Sequence, residues 1–253
     1  MAAPCLIGTS GWHYDHWKGV FYPEGTAASG RLAYYGSHFP TVEINNTFYQ
    51  LPQPATFRQW RQAVPEDFVF AVKGSRLLSH VKKLNQPEEP LANFLAAARH
   101  LEEKLGPVLW QFPPNWRINL ERLAHFLALL PPEIRFAFEF RNPSWFDERV
   151  YELLSHRGMA WCIYDLAGIY CPPQITADWG YIRMHGPGEP YAHRYSRSQL
   201  RPWAERIAEF LARGLEFYVY FNNDACGYAV ENARELAQLL VRLGAVPQAA
   251  VRG

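Results

Sequence analysis

Eight short apolar runs recur along the 253-residue chain at intervals of roughly 30 residues, the length of a βα unit. They occupy residues 5–9, 41–45, 68–73, 108–112, 135–141, 160–165, 181–185 and 216–222, each the size of a strand. Between them lie segments of helical period at 27–36, 55–64, 89–105, 120–130, 146–156, 196–213 and 228–243. Ser196 and Asn119 stand where they would cap two of these helices, and Pro131-Pro132 ends one ahead of the fifth strand. The sixth connection, 166–180, carries Pro172-Pro173 and reads as irregular. No linker or break in composition divides the chain. The pattern predicts one α/β domain over 1–253, a single TIM (β/α)8-type barrel with its active-site mouth at the carboxyl ends of the strands; an open doubly wound sheet is the competing arrangement.

Composition narrows the function classes. Lys+Arg 25 against Asp+Glu 24 leaves a formal charge of +1, so no global field recruits nucleic acid or an anionic membrane. Cys5, Cys162, Cys171 and Cys226 are far apart with no C-x-x-C pair, which predicts reduced thiols rather than a zinc ribbon or a disulfide framework. No segment approaches the ~18 consecutive apolar residues of a membrane span, and no leader pattern precedes the first strand. The expected location is cytoplasmic.

Residues two apart in a strand share a face, and the outward face of a barrel must be apolar against helices. In the fifth run Phe136, Phe138 and Phe140 suit the helix layer, which turns Ala137, Glu139 and Arg141 inward. In the seventh, Ile182 and Met184 face out, and Tyr181, Arg183 and His185 face in. The same rule places Glu43 and Asn45 inward on the second strand, Lys73 on the third, Gln111 on the fourth, Asp165 on the sixth and Asn222 on the eighth. All are at or near carboxyl ends, where barrel enzymes carry their chemistry.

Glu43, Glu139 and Asp165 balance Lys73, Arg141 and Arg183, so a self-neutralising structural network is the bland reading. Burying each ion costs several kcal/mol, and an apolar filling of equal volume is often as stable. A functional site is therefore the better expectation for the set. Three cations point to a small anionic substrate, with Arg141 and Arg183 as a planar clamp and Lys73 as a compact charge or base. Glu43 and Glu139 are acid/base candidates, and His185 a proton shuttle. The loops at 185–190 and 222–227 are candidate phosphate loops, weak as signals because Gly-Pro runs mostly mark turns.

No cofactor is predicted. A divalent metal on Glu43, Glu139, Asp165 and His185, joined by His13, His16 or His193, is the alternative, although no spaced ligand motif occurs and three cations would repel it. Glu43 with Glu139 also matches a glycosidase pair in residue type alone. Residues 8–12 lack the closing glycine of a nucleophile elbow, and no phosphate-binding P-loop exists.

The 15% aromatic share concentrates beyond strands, as Trp12, Tyr14, Trp17, Phe21, Tyr22, Phe48, Tyr49, Trp116, Trp145 and Phe146. Most would pack long loops over the barrel. Trp12, Tyr14 and Trp145 follow closely on strand ends and are the candidates for ligand contact.

Several stretches together resemble the DUF72, or YecE-like, family: GTSGW at 8–12 with Tyr14 and Trp17, GVFYP at 19–23, VEINNTFY at 42–49, FAVK at 70–73, QFP at 111–113, EFRNPSW at 139–145, RMHG at 183–186 and YFNNDACGYA at 220–229. The resemblance spans nearly the whole chain and implies a TIM barrel. It supplies no reaction, because the function of the family is unknown. Its motif positions here are Glu43, Asn45, Lys73, Gln111, Glu139, Arg141, Asn142, Arg183, His185, Asn222 and Asn223. A broader likeness links such barrels to the xylose-isomerase and endonuclease IV group, which uses divalent metals; one inward His departs from that pattern.

The expectation is thus an enzyme of the hydrolase, lyase or isomerase kind, acting on a phosphorylated or nucleotide-like anion by acid/base catalysis. Glu43, Lys73, Glu139, Asp165 and His185 would be catalytic. Trp12, Tyr14, Asn45, Gln111, Arg141, Asn142, Trp145, Arg183, Asn222 and Asn223 would bind substrate. A metal-dependent phosphodiesterase or nuclease and a non-catalytic metabolite- or RNA-binding barrel are the alternatives.

Overall fold

The computed structural model describes residues 3–166, 169 and 171–246. Its eight strands are β1 (Cys5–Ser10), β2 (Thr41–Ile44), β3 (Val69–Lys73), β4 (Leu105–Phe112), β5 (Phe136–Phe140), β6 (Ala160–Asp165), β7 (Trp179–Met184) and β8 (Glu216–Phe221). All neighbours pair in parallel and in chain order, and β8 closes on β1, so the sheet is a closed barrel and the open-sheet alternative falls. The helices are α1 (Arg31–His38), α2 (Asn46–Tyr49), α3 (Pro54–Gln62), α4 (Glu88–Ala98), α5 (Leu120–Leu129), α6 (Glu148–Ser155), α7 (Arg197–Ala212) and α8 (Tyr228–Arg242).

Local chemistry explains most boundaries. Asn119 accepts from the Arg122 N–H at the start of α5, and Ser196 forms a reciprocal capping box with Gln199 at the start of α7. The expected helix over 89–105 is α-helical only to Ala98 and runs on as a 3-10 segment, Arg99–Lys104, broken at Glu102 by a φ of 50° before the chain enters β4 at Leu105. There β3 and β4 shift register between Phe70 and Val72. Gly106 permits that approach, since a Cβ on it would lie 2.4 Å from Val69 Cγ1. The described part of the sixth connection holds no helix, as expected; residues 167, 168 and 170 fall outside the described residues.

Two packed layers fix where polar groups can sit. Outside the barrel, Phe112, Phe140, Trp145 and Trp161 stack between β4–β6 and the helices. Inside, β4 to β6 contribute the small or medium side chains Leu109, Ala137, Ala160 and Cys162, while β7 and β8 contribute Trp179, Tyr181, Tyr218 and Tyr220. Large residues from one side of the lumen fill the space that small ones leave on the other. The lower lumen is therefore solid, and inward polar side chains collect at the carboxyl end. No helix among the described residues is long and apolar enough to cross a membrane.

Candidate active site at the carboxyl end of the barrel

The polar tier is organised around Arg183 on β7, which has no exposure. Its Nε and Nη2 donate to Glu43 Oε2 and Oε1 at 3.0 and 2.8 Å, and its Nη1 donates to Glu139 Oε2 at 2.7 Å. Ser10 Oγ–H and Tyr181 O–H each donate to Glu43 at 2.7 Å. Glu139 gives its second oxygen to Arg141 Nε at 2.7 Å. Burial by itself would push both carboxyl groups up; Arg183 beside them outweighs it, leaving Glu43 below the usual carboxylate range and Glu139 well below it. Burial opposes the charge on Arg183, yet Glu43 and Glu139 hold it firmly protonated.

These four ions neutralise one another and saturate one another. Glu43 accepts four hydrogen bonds and has no face left for a ligand. Each nitrogen of Arg183 donates to a carboxylate. The expected roles of Glu43 as acid/base and Arg183 as anion clamp therefore pass to a different one, that of a buried frame. Arg141 is the outer member of that frame: its side chain keeps 16% exposure, and its Nη1 donates to the hydroxyl of Tyr191 at 3.1 Å.

Lys73 stands apart. It ends β3 with its Nζ 4.2 Å over the Phe48 ring, and among the described residues no carboxylate comes within ion-pairing distance. Burial first, and then Arg183, bring its amine from 10.5 down to about 7, with Glu139 and Glu43 pulling less strongly the other way. His185 follows β7 with Nε2 3.4 Å from Arg183 Nη1 and Nδ1 3.1 Å from the Asn222 amide nitrogen. Burial and the Arg183 charge lower it to about 4, so the ring is neutral at pH 7. Gln111 is buried, and its amide donates to the Phe112 carbonyl at 3.0 Å.

The remaining expected site residues divide. Trp12, Tyr14 and Asn45 line a cleft of about 660 Å3, and the Tyr14 hydroxyl donates to Ser10 O at 2.6 Å, beside the Glu43 shell. Asp165 does not face the lumen: it pairs opposite Met184 on the outer face, in a groove with Tyr195 and the α7 residues Gln199 and Trp203. Trp145 is fully buried, stacks on Phe140 at 4.4 Å and donates its indole N–H to Trp116 O. Asn142 caps its own turn through Ser144 N–H and donates to Pro114 O. Asn223 joins the loop after β7 to α8, donating to His193 O and to Asn232 Oδ1. Asp165 and Trp145 therefore turn to the outer layer instead of the lumen, while Asn142 and Asn223 hold neighbouring segments in place.

Sequence reasoning gave no role to Ser10 or Tyr181 and missed Tyr191 and His80. Ser10 was legible, since it alternates with Gly8 on β1. His80 lies on a single π-helical turn, Leu77–Val81, its ring 4.9 Å from Phe48. Burial, then Lys73, lower it to about 4. Such turns recur at functional sites, but no sequence spacing announces them.

The sequence profile described as "Protein of unknown function DUF72" matches residues 6–251. The UPF0759 protein YunF of Bacillus subtilis (strain 168) is 28% identical over 267 residues, covering 92% of this chain and 94% of its own length. The UPF0759 protein YecE of Escherichia coli (strain K12) is 30% identical over 154 residues, 60% of this chain and 54% of its own. A solved DUF72 family protein from Thermotoga maritima MSB8, 34% identical, superposes with a TM-score of 0.85 over 94% of this chain and 99% of its own. With a match over nearly its whole length and the same barrel, the chain belongs to the DUF72 family of proteins of unknown function.

Proposed function

We propose that the protein is an enzyme that takes a small anionic substrate at the barrel mouth and moves a proton on it, with Lys73 as the proton carrier. One observation carries the reading: in a tier whose other charges are paired, Lys73 is partly buried and has no carboxylate partner among the described residues. An amine brought to about 7 is present in both forms at neutral pH, which is the condition for efficient general acid/base work. As the free base it accepts a proton from the substrate and becomes ammonium; it then returns the proton to the product. Neutral His185, hydrogen-bonded beside Asn222, is a second group able to relay it.

The anionic character of the substrate follows from what surrounds the amine. Arg141 keeps an exposed edge, while Glu43 and Glu139 are already neutralised by arginine. An acidic group arriving there meets the exposed edge of Arg141 and the amine of Lys73, which has no carboxylate partner among the described residues, and raises the Lys73 pKa as it binds. The divalent-metal alternative does not fit these residues: Asp165 faces away, the oxygens of Glu43 and Glu139 are held by guanidinium groups, and among the described residues no group of three or more His, Cys, Asp or Glu is disposed to hold an ion.

The test is a turnover screen over small phosphorylated and carboxylated compounds at pH 7.5, with Lys73→Met alongside. Turnover that falls at least about 100-fold in the folded variant supports the reading, that being the low end for a general acid/base. Turnover that survives the substitution overturns it.

A further inference from the structure

Beside the ionic tier is a cleft of a different chemistry. It occupies about 660 Å3 between the loop after β1 and the segment from Asn45 to α3, and its lining holds no Asp, Glu, Lys or Arg. Trp12 and Trp60 form one corner, edge to face at 5.4 Å and 87°. Asn45, Asn46 and Gln59 supply amides, and Tyr14 closes the side nearest Ser10 and Glu43. Asn46 and Gln59 are exposed and make no side-chain hydrogen bond among the described residues. Asn45 Oδ1 is buried without a partner there, an acceptor waiting for a donor.

A volume in this range suits a small-molecule ligand. Its walls discriminate among uncharged polar ligands. A planar heterocycle is best held between parallel rings, and Trp12 and Trp60, at 87° to each other, form no such slot. An aromatic corner bordered by amides that both donate and accept matches the C–H surface and hydroxyl rim of a sugar ring. Gly11, at φ 88°, lets the Tyr14 ring pack against the turn that enters the cleft, since a Cβ there would lie 2.8 Å from the Tyr14 hydroxyl.

We propose that this cleft binds an uncharged, hydroxylated sugar ring, the part of the substrate that lies away from its acidic group. The assignment of the acidic group rests on the reading of the mouth given above; the ring site is tested without it.

The experiment is a two-dimensional 1H–15N spectrum of the full chain, with the indole signals of Trp12 and Trp60 identified from Trp12→Phe and Trp60→Phe. Glucose, galactose, mannose and xylose are added at millimolar concentration, with adenosine and uridine as the competing class. Saturable shifts of both indole signals with at least one sugar, weakened at least tenfold by Gln59→Ala and retained in Lys73→Met, are the expected result. No shift with any sugar overturns the proposal, as does a response to the nucleosides alone. Because Lys73→Met leaves the cleft intact, sugar shifts that persist in a variant with undiminished turnover would remove the catalytic reading and keep this one.

Discussion

Arg183 and Glu43 face each other across the barrel with both side chains fully buried, joined by two hydrogen bonds of 3.0 and 2.8 Å. Ser10 and Tyr181 complete the carboxylate, so the pair is closed to ligands and acts on the site through the charge it presents. Breaking such a pair leaves a buried charge uncompensated, at a cost of about 3–5 kcal/mol. Glu43→Gln should lower the stability measured by urea unfolding at pH 7 by about that amount. A loss of less than about 1 kcal/mol, the scale of an exposed pair, would show that Glu43 is not held as described.

Lys73 gives stability a pH dependence of unusual sign. The unfolded amine titrates near its ordinary 10.5 and the folded one at about 7, so between those values the unfolded chain binds more protons. The lysine therefore costs stability fully below pH 7, and the cost fades as pH rises toward 10.5. Lys73→Met should gain stability relative to the parent at pH 6.5, with the gain shrinking steadily by pH 9.5. Parallel pH profiles for the two proteins would contradict this.

His185 behaves as a depressed base of the same kind, lowered from 6.5 to about 4. Its contribution is constant above pH 6.5, and stability falls as pH drops from 6.5 toward 4, because the unfolded ring protonates first. Ring 15N chemical shifts should report His185 and His80 as neutral at pH 5.5. A protonated His185 ring at that pH would mean that burial and the Arg183 charge do not depress it as described.

Asp165 belongs to the outer face, where burial raises its carboxyl above the usual value and Tyr195 hydrogen-bonds it. Asp165→Asn should leave the Lys73 pKa unchanged and alter stability by no more than about 1 kcal/mol, the worth of one ordinary hydrogen bond. Glu139→Gln should move that pKa down, since the lost carboxylate favours the ammonium. A shift caused by the first variant and not by the second would reverse the two assignments.

The barrel was legible because its strands announce themselves by spacing, and because β5 and β7 alternate sharply between apolar and polar. Where only one face carries ions, the pleat decides which way they point, as at Glu139 and Arg183. Strand β6 offers no such contrast: Ala160, Cys162 and Tyr164 on one side and Trp161 and Ile163 on the other are all apolar. Asp165 was accordingly assigned to the wrong face. Trp145 shows a second limit. Closeness to a strand end does not tell whether a loop aromatic turns toward a ligand or folds back onto the outer layer, as Trp145 does against Phe140. The pairing inside the tier was also out of reach, since balanced charge in a sequence does not say which ion is left without a partner.

Lys73, which has no carboxylate partner among the described residues, is the proposed proton carrier, and its protonation can be measured directly. Trace labelling of amines with an anhydride across pH 5–11, read by peptide mass spectrometry, reports the titration of each lysine from its reactivity. A midpoint for Lys73 near 7 is the predicted result, and its disappearance in Lys73→Met confirms the peptide. A midpoint near 10.5, that of an ordinary lysine, would contradict the account.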